Sequence, residues 1–334
     1  MFNEKRKLQF MEDNGLTPKK DVWVTNVFNL LEPTEEKLGK DLALFTAEET
    51  GKALATAGVI TSVTISARVP LVVRYKDWCA GHGFETIQMK SSEIQVDFSD
   101  NIRDVMVATP SHLSSLLAES FADRYKKSAK VIYRAYLWFG FAGMDKMEAV
   151  SLRVSDVNLK QRMAHSNRDR WYVIHELGVP DVRRACELQE FERNVRFGIA
   201  TFPRAEGDLI LRGRRMKKEI PLEKYIRETL RPTVQAGFKN AGHTGLSFDR
   251  IRKSGFFYSM LQREVLGIPP NFFTIAHDEF DEVHKEPVAP AAKQKTVTRI
   301  VRMYNRDYAA WKNAFSKELK GDFGIDEIPN LLDR

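Results

Sequence analysis

Ser247-Phe248-Asp249-Arg250-Ile251-Arg252-Lys253-Ser254 is the stretch on which the reading of this chain turns. Arg250, Arg252 and Lys253 crowd together, and behind them Phe256, Phe257, Met260 and Leu261 recur at helical spacing through residues 255–261. The pattern predicts a helix with a buried stripe and a basic first turn. Cations in a first turn oppose the helix macrodipole by a few tenths of a kcal/mol, up to roughly 1. Basic helix starts are common on protein surfaces. Held against that preference, this one also suits an anion, most simply a phosphate.

Composition sets the bounds around that stretch. The chain has 334 residues, long enough for two domains, and 52 Lys+Arg against 45 Asp+Glu leave a net charge of +7. So modest an excess means that a nucleic-acid footprint must come from clustering rather than bulk charge. Cys79 and Cys186 stand far apart with no C-x-x-C, which fits a reducing compartment and argues against a disulfide framework or a cysteine zinc site. The N-terminus leads into no apolar core of signal-peptide length, and every apolar run is too short to span a bilayer. A cytoplasmic, nucleoid-associated protein with no membrane contact and no cofactor is expected.

Upstream, residues 1–33 place Val22, Val24, Val27, Leu30 and Leu31 on one helical stripe that Pro33 is expected to stop. Thr46-Ala47-Glu48-Glu49 reads as a capping box, flanked by Phe45 and Thr50, for a helix ending near Gly58. Ser62 or Thr64 caps the next helix, which runs through Tyr75 and Trp78 towards Gly81 with Pro70 inside it. In residues 88–105, Ile94, Val96 and Phe98 suggest a short strand or extended linker, and Ser99-Asp100-Asn101 a turn. The domain boundary is placed there, giving an all-α module over 1–104 and a mixed domain over 105–334.

Thr109-Pro110 opens the second domain as an N-cap with proline at the first helical position. Lys126, Lys127 and Lys130 lead into an aromatic-rich helix over 131–141, closed by Gly143, and a short helix follows over 146–152. Met163 to His165 and Trp171 to Ile174 bracket a polar turn and read as a hairpin. Residues 182–192 read as helix, 208–211 as a short strand, and 221–242 as a helix. Between the last two lies the densest basic run, Arg212, Arg214, Arg215, Lys217 and Lys218. A final helix is expected over 296–319, carrying Arg299, Arg302 and Arg306 beside Tyr304 and Tyr308. Met144 and Met147 read as core, and His165 and His175 as packing or hairpin residues. His277 and His284 enclose Asp278, Glu279, Asp281 and Glu282, but not at H-E-x-x-H spacing, so an exposed acidic loop or lid is preferred to a metal site.

In this order the elements resemble the tyrosine recombinase (phage integrase) family over most of the chain. Residues 142–156, Ala-Gly-Met-Asp-Lys-Met-Glu-Ala-Val-Ser-Leu-Arg-Val-Ser-Asp, are similar to that family's T-G-L-R-x-S-E-L-x-x-L-x-x-x-D box. Asp249-Arg250-Ile251-Arg252 is similar to its H-x-L-R box, and residues 64–83 to its core-binding helix. The resemblance implies a mainly α fold with a small β component: a helical core-binding domain, then an α+β recombinase-like domain, the two clamping duplex DNA.

The departures decide the chemistry. The family's reaction needs a tyrosine nucleophile, two arginines on the phosphate oxygens, and a lysine and histidine for protons and charge. Here Asp145 holds the first-arginine position and Asp249 the motif histidine. The hairpin has Arg168 and Arg170 but no lysine, and Ile268 stands at the later histidine. Arg252 survives, with Tyr304 as the tyrosine or Tyr308 as its near alternative. Reversing one charge of a pair about 4 Å apart changes the sign of roughly 4 kcal/mol at an effective dielectric near 20. Strand cleavage is therefore not expected. Within the resemblance the closest group is the recombinase-like master repressors of SPβ-type phages, which implies operator DNA and a regulatory protein or peptide antagonist as partners. The cations expected on phosphate are Arg250, Arg252, Lys253, Arg212, Arg214, Arg215, Lys217, Lys126, Lys127 and Arg302. The alternative is an active recombinase with Tyr304 as nucleophile.

Overall fold

Pro33, expected to stop the second helix, lies inside it: α1 (Glu4–Asp13) is followed by α2 (Val22–Leu38). A mid-helix proline costs about 3 kcal/mol. Just past it, fully buried Glu35 accepts from the Leu42 amide at 2.8 Å and pairs with Lys7 of α1, which anchors the last turns. The computed structural model describes the whole chain apart from residues 58–61, 122–126, 196–197, 204–207, 212–220, 285–286 and 333–334. Helix α3 (Ala47–Thr56) opens with the expected capping box, Thr46 Oγ1 accepting from Glu49 N at 3.2 Å and Glu49 from Thr46 N at 2.8 Å. The expected end at Gly58 lies outside the described residues. Helix α4 (Ser62–Gly81) contains Pro70 and buries Val69, Val72, Tyr75 and Cys79. Residues 94–98 are extended but unpaired, so no strand forms, and the expected turn is instead the start of α5 (Ser99–Val105). The Asp97 carboxylate accepts from the Ser99 amide at 3.0 Å and hydroxyl at 2.8 Å, steadying that start.

Helix α6 (Pro110–Ser120) is capped by Thr109, and α7 (Lys127–Phe141) and α8 (Lys146–Ser151) follow on either side of Gly143. Strands β1 (Val157–Asn158), β2 (Met163–His165) and β3 (Trp171–Val173) form an antiparallel sheet in that order, with His165 opposite Trp171. Helix α9 (Val179–Glu187) is shorter than expected. The residues after it form a second hairpin, β4 (Glu190–Val195) with β5 (Gly198–Pro203). Phe191 lies opposite Phe202 in that ladder. The expected strand at 208–211 amounts to one bridge, Leu209 opposite Arg153. The helix expected over 221–242 runs as α10 (Leu222–Tyr225), a π turn at Ile226–Leu230, and α11 (Arg231–Asn240). Pro232 has no amide to give the carbonyl one turn back, which accounts for the widened ladder.

Helix α12 (Phe248–Val265) begins after Ser247, whose Oγ accepts from Arg250 N at 3.4 Å; of the expected stripe it buries Phe257, Met260 and Leu261 but leaves Phe256 partly exposed, and it buries Phe248 and Ile251 besides. It lies directly on α7. A Cβ at Gly255 would sit 1.8 Å from the Phe141 carbonyl oxygen, and Phe248 stacks on Tyr136 with centroids 4.3 Å apart. The supposed acidic loop is a helix, α13 (Phe273–Val283), whose Ala276 and Phe280 pack with Val297. The final helix is two: α14 (Pro290–Ala314) and α15 (Ser316–Phe323), separated at Phe315.

The architecture is mainly α with a small β component. Two compact units divide the chain, Met1–Ile102 with Phe272–Ala314, and Arg103–Asn271 with Phe315–Arg334. The sequence reading puts residues 272–314 in the second domain; packing of α14 on α4 puts them in the first unit. No helix among the described residues is long and apolar enough to cross a membrane.

Candidate functional site

The second unit brings together the start of α12, the start of α8 and the β2–β3 turn. Gly143 adopts φ +106°, a conformation that favours glycine, and its carbonyl accepts from Arg252 Nε at 2.9 Å. That bond aims the surviving arginine from α12 at the loop that precedes α8. Arg252 is half-buried, and no carboxylate pairs with it among the described residues.

Asp145 does not point a bare charge at the place a phosphate would take. It is the N-cap of α8: its Oδ1 accepts from Glu148 N at 2.8 Å, and Glu148 accepts in return from Asp145 N at 3.0 Å. The second oxygen lies 2.7 Å from Arg168 Nη1 on the hairpin turn. No N–H is aimed at that oxygen, so the contact is a coulombic pair rather than a hydrogen bond. Asp249 is likewise engaged, with Lys146 Nζ 2.5 Å from its Oδ2. The positions that depart from the recombinase pattern thus form two cross-element ion pairs of reversed sense.

Glu148 holds this arrangement from below. Almost fully buried, it accepts from Ser166 Oγ at 2.9 Å and from Tyr172 OH at 2.9 Å, besides the Asp145 amide. Burial, then the Glu148 charge, pushes the Tyr172 hydroxyl well above the usual phenol range, so it stays a donor. Sequence reasoning missed Glu148, Ser166, Tyr172 and Lys146; the Asp145-x-x-Glu148 spacing of a capping box was the available signal.

The remaining site residues are placed as follows. Arg250 and Lys253 share the first turns of α12 with Arg252, and Lys253 Nζ lies 5.6 Å from the Phe257 ring centroid. Arg302 is exposed on α14 and belongs to the first unit. Lys126, Arg212, Arg214, Arg215 and Lys217 lie outside the described residues, and Lys127 begins α7. Tyr304 also belongs to the first unit. It is buried, stacked on Phe272 at 5.7 Å, and its hydroxyl donates to Glu279. Tyr308 is fully buried. His165 stacks on Trp171 at 4.5 Å, and His175 accepts from Leu177 N at 3.3 Å, both structural roles. Met144 is core, whereas Met147 is partly exposed. No cluster of metal-ligating side chains occurs among the described residues.

Among solved structures, a XerA recombinase aligns with 88% of this chain and 97% of its own, at 12% identity and a TM-score of 0.35. An integrase from mycobacterium phage Brujita aligns with 94% of this chain and 92% of its own, at 13% identity and a TM-score of 0.31. Neither superposition is close enough to carry a residue assignment across. No curated protein matches the chain. Residues 1–81 match the family model described as the MrpR N-terminal core-binding domain.

Proposed function

We propose that this chain binds double-stranded DNA on a recombinase fold without cutting it, and acts as a transcriptional repressor that keeps a prophage silent. The observation that carries the reading is the pair of reversed ion pairs around Arg252. A cleavage site needs its cations free to neutralise the phosphate as charge develops. Here Asp145 faces Arg168 and Asp249 holds Lys146, while Arg252 is pre-aimed by the Gly143 carbonyl and has no carboxylate partner among the described residues. Such a site can grip one phosphate and has little left with which to activate it. The burial of Tyr304 against Phe272 and Glu279 further supports the absence of a nucleophile. The match of residues 1–81 to a core-binding domain supports DNA as the ligand, and release by a regulatory protein or peptide belongs to the same proposal.

A nicked suicide duplex incubated with the protein is expected to give no covalent 3′-phosphotyrosyl adduct, while a gel-shift series shows salt-sensitive duplex binding. An adduct that disappears in Tyr304→Phe overturns the non-cutting reading. Absence of duplex binding at low salt overturns the DNA reading. For the repressor role, co-expression with a reporter under the DNA recovered by crosslinking is expected to silence it; an unsilenced reporter counts against repression.

A further inference from the structure

We infer that the solvent face of α14 is a second phosphate-binding element, a rail of Lys295, Arg299, Arg302 and Arg306 that lies along the backbone of duplex DNA. The inference rests on the DNA reading above and extends it to the first unit. At 3.6 residues per turn these four positions fall within about 60° of one another and span about 16 Å of helix. Val297, Tyr304, Tyr308 and Trp311 occupy the opposite, buried side. All four cations are exposed, and none takes part in an ion pair or hydrogen bond among the described residues.

An ordinary solvated helix face mixes acids with bases, because like charges three or four residues apart each cost about 0.2–0.5 kcal/mol. Helix α14 does the reverse. Its single acidic residue, Asp307, is buried, and its other two cations are occupied, Lys293 by Asp281 at 2.7 Å and Lys312 over the Tyr308 ring at 4.7 Å. The uncompensated cations are therefore concentrated on a face that is exposed among the described residues.

The surface at the Arg306 end points to a polyphosphate rather than an acidic protein. Arg306 borders an open groove of about 540 Å³ whose polar lining is Ser66, Ser91, Ser92 and Gln95, with no carboxylate. Hydroxyls and amides beside an arginine are the usual partners of phosphate oxygens. Duplex DNA carries a negative charge for every ~1.7 Å of axis, so a rail of this length meets several phosphates at once. Three of the four cations are arginines, whose planar guanidinium binds phosphate in bidentate fashion.

The test uses the full chain and a fluorescently labelled 30-base-pair mixed-sequence duplex, with anisotropy titrations from 50 to 300 mM KCl. Each lost phosphate contact lowers the slope of log K against log salt by about 0.9, so the Arg299→Gln/Arg302→Gln/Arg306→Gln protein should show a slope shallower by about 2.7. Near 0.1 M salt that corresponds to affinity weaker on the order of 10²–10³-fold. The matching triple lysine protein should keep the wild-type slope. Because the side chains are exposed, coincident thermal melts are expected for all three. Wild-type binding with an unchanged slope in the glutamine protein overturns the rail alone, and leaves the face to an acidic protein. A wild-type chain that fails to bind the duplex overturns the rail and the DNA reading together.

Discussion

Asp145 and Arg168 stand 2.7 Å apart, the one capping α8 and the other on the β2–β3 turn, and they pair without a hydrogen bond between them. In a phosphate clamp both positions would be cationic. Here the acid does two jobs: it holds the helix start and it screens the hairpin arginine.

Those two jobs separate by mutation. Asn at 145 keeps an N-cap acceptor but removes the charge on Arg168, so Asp145→Asn should bind duplex DNA about five- to tenfold more tightly near 0.1 M salt, with a slope steeper by about 0.9. Asp145→Ala also removes the carboxylate facing Arg168 but deletes the cap, so it should unfold more easily by about 1 kcal/mol without binding more weakly. Parallel anisotropy and urea melts check both. Weaker binding by a well-folded Asp145→Asn would mean that Arg168 does not reach phosphate.

Arg252 is positioned through Nε and leaves its terminal nitrogens available. Arg252→Ala should lower the salt slope by about 0.9 and weaken binding roughly uniformly across duplex sequences, because a phosphate contact carries no base information. Arg252→Lys keeps the charge but is not held by the Gly143 carbonyl in the same way, and should fall between the two. Loss of discrimination between sequences, with the slope unchanged, would instead make Arg252 a base reader.

Much of this was legible in local sequence and some was not, for physical reasons. Ser247 with the Phe257, Met260 and Leu261 part of the stripe, and Thr46 with Glu49, are signals local to one helix, and both helices formed, with Phe256 the one stripe residue left partly exposed. Asp145 and Asp249 were visible as departures from a motif. Their partners were not: Lys146 and Asp249 are 103 residues apart, and nothing local links them. Helix α13 was misread because its acidic residues hide a short buried set, Ile275, Ala276 and Phe280, of which Ala276 and Phe280 pack with Val297 of a helix that follows later in the chain. The β4–β5 hairpin was missed because the helical run before it was carried too far, past the end of α9.

Glu148 joins α8 to the hairpin through Ser166 and Tyr172. A glutamine there preserves volume but removes the charge that three donors share, and hydrogen bonds to a charged group are worth about 1.5–3 kcal/mol each. Glu148→Gln should therefore lower stability by about 2 kcal/mol or more, with faster amide exchange in residues 163–173 than in α12. Uniform exchange across the second unit would show that Glu148 supports the whole core rather than the hairpin.

Lys76 gives the first unit a pH dependence of definite sign. Its ammonium is buried and donates to the carbonyls of Ala43 at 3.0 Å, Phe45 at 2.6 Å and Ile87 at 3.2 Å. Burial pushes its pKa down to about 8, against the opposing pull of Asp41 and Cys79, whereas the unfolded chain keeps the ordinary value of 10.5. Between those values the unfolded state binds the proton and the folded state does not, so stability rises with pH across that window. Below it both states are protonated and the contribution is flat. The difference in urea midpoint between wild type and Lys76→Met should thus be constant from about pH 6 to 7.5, and then shift in favour of wild type towards about pH 10. Lys76→Met also takes the donor from the Phe45 and Ile87 carbonyls, while Ala43 O keeps the Ile87 amide and the Thr86 hydroxyl, so it should be the less stable protein throughout, at about 1–3 kcal/mol per buried acceptor left unpaired. A midpoint difference that stays level through pH 10 would show that the carbonyl cage offsets the burial and holds the proton in place.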